Sequence, residues 1–245
     1  MKKISIITSK GGTGKTTTSI NLAHGLALCG KKVLIIDCDA QRNVAIAFDA
    51  KGDKTLCDLL QYGDVDVMEI RKNLYLIDSG GRDLAEIEMV LSGQTNREKR
   101  LEKALKNVKG CDIVICDCSP TINLININAI VYSDQVIIPV SMDYLAQAGA
   151  SQTMQIIDEV NMLSDNQTTI MGILPTFYDT RTKLSREVLE TLNEHFNEMM
   201  FETVIRTNIS LREAPSFNRT IFEYSPMSHG AVDYYKFTEE FLNRA

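Results

Sequence analysis

A doubly wound α/β fold, with a mostly parallel sheet flanked by helices on both faces, is what this sequence predicts. Three observations carry the prediction. Short strands that are apolar throughout alternate with helical stretches, the pattern of a parallel sheet covered on both sides. The first strand-like run passes through a glycine-rich loop straight into a helical pattern. A length of 245 residues, with 44% hydrophobic and 24% charged, suits a single domain spanning residues 1–245, and no internal repeat, low-complexity tract or linker divides it.

The elements follow in order. Residues 3–8 form a β-rich run. Residues 17–29 form an amphipathic helix that Gly30 closes as a C-cap, with Lys31 and Lys32 giving it a basic last turn. Residues 33–36 are a fully apolar second strand. Further strands are expected at 74–77, 113–116, 136–140 and 170–174, and helices at 56–61, 97–108, 145–163, 184–199 and 231–243. No apolar run reaches the roughly 18 residues of a membrane span, and Ile4-Ser5-Ile6-Ile7 is too short for a signal-peptide core, so a cytoplasmic location is expected. The six cysteines form no C-x-x-C pair and only three histidines are present, which argues against a zinc site and for buried reduced thiols. A net charge of −6 argues against constitutive coating of nucleic acid, while leaving room for a small basic face.

The loop after the first strand reads Lys10-Gly11-Gly12-Thr13-Gly14-Lys15-Thr16. The usual G-x-x-x-x-G-K-[ST] pattern lacks its first glycine here, and a lysine heads the run. Glycines let the backbone wrap closely around phosphates, and the helix that follows directs N–H groups and a positive dipole end at them. In that frame Gly11, Gly12, Thr13 and Gly14 cradle phosphates, Lys15 reaches the β- and γ-phosphates, and Thr16 binds Mg²⁺. Thr17 helps to hold the α-phosphate. ATP and Mg²⁺ are the expected cofactors. Two strand ends add carboxylates. Asp37-Cys38-Asp39 closes the second strand on the side where ligands bind in a doubly wound sheet. Ile113 to Asp117 is an apolar run ending in one acid, suited to holding Mg²⁺ through water.

The K-G-G-x-G-K-T run resembles the deviant Walker A motif of the ParA/MinD family of P-loop ATPases, and the chain is most similar to the ParA/Soj partition proteins. The resemblance covers nearly its whole length. It implies that Lys10 crosses a dimer interface to the phosphates of the partner's ATP, that Asp39 positions or activates the attacking water, and that Asp37 supports the magnesium shell. The family continues its D-x-D element as P-Q-G-N. Here Gln41 and Asn43 match, while Ala40 and Arg42 do not. Arg42 either adds charge near the site or is simply exposed. After Asp117 the family has D-x-P-P, where this chain reads Asp117-Cys118-Ser119-Pro120, one proline short in the segment that senses the γ-phosphate.

Further on, 178–185 (YDTRTKLS) is similar to the family's YDxRTxLS segment, and 208–216 (NISLREAPS) to its N-x-x-L-x-E-A-P-S segment, which implies that Asn208 lies near the adenine. Nonspecific DNA binding in the family is attributed to basic residues in such segments. Arg181, Lys183 and Arg186 read as an acid-free cluster, and Arg206, Arg212 and Arg219 as a second one opposed only by Glu213. They are either a salt-sensitive phosphate-binding rim or a solvated surface. The resemblance implies a slow, partner-stimulated ATPase that forms a homodimer on ATP. It would bind nonspecific double-stranded DNA in that state and answer to a ParB-like activator, partitioning a plasmid, chromosome or mobile element. A MinD-like positioning ATPase acting on a membrane or protein scaffold is the alternative. The acidic end 237–245 lacks the basic amphipathic character of a membrane helix, so no stable membrane anchor is expected and nucleoid association goes with DNA binding.

Overall fold

The computed structural model describes residues 1–106, 108–164 and 167–244. One seven-stranded sheet runs through it, built from β1 (Lys2–Ile6), β2 (Val33–Cys38), β3 (Met68–Arg71), β4 (Leu74–Ile77), β5 (Ile113–Cys118), β6 (Gln135–Ser141) and β7 (Thr169–Thr176). The order is β3-β4-β2-β5-β1-β6-β7, and every neighbouring pair is parallel except the edge hairpin β3–β4. The expected doubly wound sheet is therefore present, with an antiparallel edge added.

Strand alternation divides the core. Leu34, Ile36, Cys38, Cys116 and Cys118 face one apolar layer, and Ile4, Ile6, Ile35 and Ile115 face the other. Both faces of these strands are buried, which explains why β2 and β5 read as unbroken apolar runs. Helix α1 (Lys15–Leu28) is buried along almost its whole length, between the sheet and the C-terminal helix. Its Gly25 is required, because a Cβ there would sit 2.3 Å from the Thr238 hydroxyl. Cys29 caps α1 and Gly30 takes φ +83°, as the C-cap reading requires. Lys31 and Lys32 lie beyond the helix, so α1 has no basic last turn.

The remaining helices are α2 (Asn43–Ala47), α3 (Leu56–Tyr62), α4 (Arg82–Ser92), α5 (Arg100–Ala104), α6 (Leu124–Tyr132), α7 (Ala146–Ser164), α8 (Lys183–Phe196), α9 (Ile209–Glu213), α10 (Ile221–Tyr224) and α11 (His229–Arg244). The helix expected at 97–108 is broken, and its residue 107 lies outside the described residues. A short 3-10 turn at Arg97–Lys99 precedes α5. There the Asn128 side chain accepts from Leu101 N and donates to the Arg97 carbonyl, taking both ends of the bond that would have continued the helix. Helices α4 and α6 and strand β3 were not expected. The isoleucine-rich run of α6 has a strand-like composition, and its start is fixed by Asn123, whose side chain accepts from Asn126 N. No helix among the described residues is long and apolar enough to cross a membrane.

Candidate active site

The loop between β1 and α1 leaves the sheet at the carboxyl end of a central strand, where doubly wound folds bind ligands. Gly12 at φ +73° and Gly14 at φ +85° take left-handed conformations that suit glycine, and Gly14 is the N-cap of α1. Lys15 is 7% exposed, and its ammonium donates to the carbonyls of Lys10 (3.0 Å) and Thr8 (3.3 Å). Burial lowers its pKa, against the opposing pull of Asp117, Cys118 and Asp39. The Thr13 hydroxyl is buried with no hydrogen-bond partner among the described residues.

The carboxylates converge from two adjacent strands. Asp37 of β2 and Asp117 of β5 are register partners, both fully buried. Asp117 accepts hydrogen bonds from Thr16 Oγ1 at 2.8 Å and Ser19 Oγ at 2.6 Å. Burial raises its pKa to about 6 in spite of those donors and of Lys15. Ser19, three residues after Thr16 on the same helix face, escaped the sequence reading; that spacing is the signal that would have found it. Asp37 accepts from the backbone N–H groups of Asp39 (3.1 Å), Val44 (3.2 Å) and Ala45 (3.4 Å), anchoring the start of α2. Burial, then Asp117, raises its pKa well above the usual range. Asp39 is 8% exposed and accepts from Gln41 N at 2.9 Å. It borders an open cavity of about 360 Å³ together with Lys15, Thr16 and Pro120.

A second cavity of about 330 Å³ adjoins the first across Gly14, Thr17 and Phe177. Asn208 lines it while its side chain caps α9 by accepting from Ser210 N. Lys10 stands apart from both cavities, with its ammonium against both carboxylate oxygens of Asp143 at 2.5 Å.

With the strand–loop–helix geometry in place, comparison with known proteins decides the family. A family model described as an AAA domain matches residues 1–170. The sporulation initiation inhibitor protein Soj of Bacillus subtilis (strain 168) is 40% identical, over 98% of this chain and 97% of its own. The chromosome partitioning protein ParA of Caulobacter vibrioides (strain NA1000 / CB15N) is 32% identical, over 100% of this chain and 95% of its own. The chain belongs to the ParA/Soj family of P-loop ATPases. Among solved structures, cobyrinic acid a,c-diamide synthase from Mycobacterium smegmatis with bound ATP analog and magnesium superposes with a TM-score of 0.85 at 27% identity. That match covers 99% of this chain and 95% of the other.

In this ParA/Soj ATPase the segment that is one proline short is held by a side chain. Ser119 stands where the family pattern has the first of two, and the buried Asn126 amide donates to the carbonyls of Ser119 and Thr121, each at 2.9 Å. Its Oδ1 accepts from Ser119 N at 3.2 Å. Arg42 follows neither alternative left by the sequence: its guanidinium is locked onto the buried Asp78.

The basic residues of the ParA/Soj ATPase are placed differently from their sequence reading. The first cluster is not acid-free, because Asp179 accepts two hydrogen bonds from the Arg181 guanidinium and Glu187 lies 3.0 Å from Lys183. Nor is the second opposed only by Glu213. Arg206 is bound by both oxygens of Asp233, a buried residue of α11 distant in sequence. Arg206 and Arg212 line the Asn208 cavity, where Arg212 lies 5.9 Å from the centre of the Phe177 ring. Arg219 lines a neighbouring groove with Thr16 and Asn43. A larger open groove of about 650 Å³, carrying Lys99, Arg100, Lys103 and Lys106, shares no residue with the site. The cysteines are free; Cys38, Cys57, Cys116 and Cys118 are buried, Cys111 is half-buried and Cys29 is exposed.

Proposed function

We propose that residues 1–245 act as one ATP-dependent, dimerising switch that hydrolyses ATP to partition DNA. The observation that supports this most is the grouping of Lys15, Thr16, Ser19 and Asp117 within one strand–loop–helix unit. Its donor set fits a magnesium–nucleotide complex. Lys15 has three donors and two carbonyl partners here, and the Thr13 hydroxyl is buried without any among the described residues. Gly11 to Thr17 would cradle the phosphates, and the Asn208–Phe177 cavity would take the base. Thr16 and Asp117 would hold Mg²⁺, with Asp37 as the support behind them; the ion neutralises phosphate charge. Asp39, at the rim of the phosphate cavity, would orient the attacking water.

Lys10 is half-exposed in its ion pair with Asp143, so it can exchange that carboxylate for the phosphates of a partner's ATP. Such an exchange makes the dimer the state that ATP prefers, and a ParB-like partner would then accelerate hydrolysis and release. The relatives' names, Soj and ParA, favour a plasmid, chromosome or other mobile element as cargo and a cytoplasmic, nucleoid-associated location. The Phe237 and Phe241 side chains of α11 are fully buried, which favours DNA over a membrane as the surface that the dimer engages.

The deciding experiment is retention of nonspecific double-stranded DNA with ATP, ADP or no nucleotide, at low and moderate salt. Retention with ATP alone, weakened by salt and by removing Arg181 and Arg212, is the expected result. No retention under any condition, with dimerisation intact, would move the function to a positioning ATPase on a protein or membrane scaffold.

A further inference from the structure

Arg42 occupies a backbone position that suits glycine, at φ +56° and ψ +32°, where the family pattern has glycine. A non-glycine residue is held there only if its surroundings fix it, and the side chain shows how. Its Nε donates to Asp78 Oδ1 at 2.8 Å, while the terminal Nη2 engages Oδ2. Asp78 is 1% exposed and sits at the end of β4, the strand beside β2. Its carboxylate also accepts from Gly80 N at 3.2 Å. The stem of Arg42 fills the space beside Gly81, where a Cβ would lie 2.9 Å from Arg42 Cδ. The loops that follow two adjacent strands are thus tied together by a two-pronged ion pair.

What the tie holds is the Asp39 turn. Arg42 N donates to the Asp39 carbonyl at 2.9 Å, Gln41 N donates to the Asp39 carboxylate at 2.9 Å, and the Arg42 carbonyl accepts from Ile46 N in α2 at 2.9 Å. Both oxygens of Asp78 are taken by the guanidinium, so Arg42 is committed to the neighbouring loop and not to the cavity. We infer that Arg42 is a positioning residue for hydrolysis: its ion pair with Asp78 fixes the 39–43 turn and so aims the Asp39 carboxylate at the attacking water. This rests on the role proposed above for Asp39. Burial by itself would raise the Asp78 pKa, and the Arg42 fork holds it below the usual carboxylate range, in keeping with a committed pair.

The test compares steady-state ATP hydrolysis and the binding of a fluorescent ATP analogue in the full chain, R42G, R42K, D78N and the R42G/D78N double variant, with D39A as reference. Glycine adopts the Arg42 backbone without strain, so R42G is expected to fold. R42G and D78N should each bind the analogue within about two-fold of the parent chain and lose roughly ten-fold in kcat, the signature of a misplaced group and not of lost affinity. R42K restores the charge without the fork and should recover part of that loss. The double variant should be no slower than either single one, because all three break the same link. Parent-like or faster turnover by R42G overturns the inference, as does a double variant that falls by the product of the singles. Should R42G melt below the assay temperature, R42K and D78N decide by the same readouts, and parent-like turnover in both overturns it. Normal turnover by D39A would remove the role of Asp39 and the inference with it. An inactive D39A beside a parent-like R42G would remove the inference alone.

Discussion

The phosphate end of the molecule and its C-terminal basic residues were both marked by charge in the sequence, yet the structure treats them in opposite ways. At the phosphate end, Lys15, Asp37 and Asp117 are drawn into the protein, Lys15 and Asp37 held by backbone groups a few residues away and Asp117 by Thr16 of the loop motif, 101 residues away. In the C-terminal half, Arg181 remains 85% exposed, and Arg206 is turned inward onto a carboxylate from α11. A motif specifies its own neighbours: the loop and the helix behind it lie within a few residues of each other, and the sheet brings the acid at the end of β5 to them. A surface arginine acquires a partner from wherever the fold brings one, and its value depends on that partner. Charges of the first kind can be placed from the sequence, whereas those of the second kind must be weighed one by one.

The sharpest way to break that contrast is Lys15→Ala. Removing an ammonium built into the loop should weaken ATP binding by at least about 100-fold, near 2.7 kcal/mol, with folding retained. A titration with a fluorescent ATP analogue measures it, and near-normal affinity would mean that the loop does not bind phosphate as its geometry suggests. Two further substitutions divide the same end by function. Asp39→Ala should bind ATP and dimerise but lose on the order of 100-fold in turnover. Lys10→Ala should bind ATP yet remain monomeric by light scattering. ATP-driven dimers of Lys10→Ala would remove its role across the interface.

How much of this was legible follows from range. The sheet, α1 and the loop could be read because their signals are local: apolar runs, glycines at fixed offsets and an acid at a strand end. Asn128 could not be read, since it replaces the backbone bond that a continuous helix would make at Leu101, and neither could Asn126, which carries no motif linking it to Ser119. Helix α6 was hidden by isoleucines with a preference for strands, which burial in the core overrides. Arg42 was the nearest miss. A departure from glycine was visible, but its partner, Asp78, lies 36 residues away and carries no motif. Arg206 failed for the same reason, since Asp233 is 27 residues from it, whereas Asp179 and Glu187, two and four residues from Arg181 and Lys183, were within reach of the local pattern.

Arg206→Ala tests the inward-turned member of the rim. It would leave the buried Asp233 carboxylate without its cation, and the expected cost is about 2 kcal/mol in a denaturant melt. That is a stability effect, so ATP-dependent DNA retention per folded molecule should change less than in Arg212→Ala. If Arg206→Ala proves neutral in stability but abolishes retention, Arg206 belongs with the DNA-facing residues and the contrast drawn here is wrong at that position.

Arg181→Ala carries the smallest expected effect and the most discriminating one. Its pair with Asp179 is exposed on the arginine side, where solvent screens such pairs, so the melt should barely move. In water the guanidinium can exchange Asp179 for a phosphate at little cost, because both are anions accepting the same fork. Retention of DNA should therefore weaken by a few-fold at low salt, and its dependence on salt should become shallower by about one released counterion per subunit. An unchanged salt slope would show that Asp179 keeps this arginine for itself. The rim would then hold charge without using it, and the DNA surface would have to be sought elsewhere on the dimer.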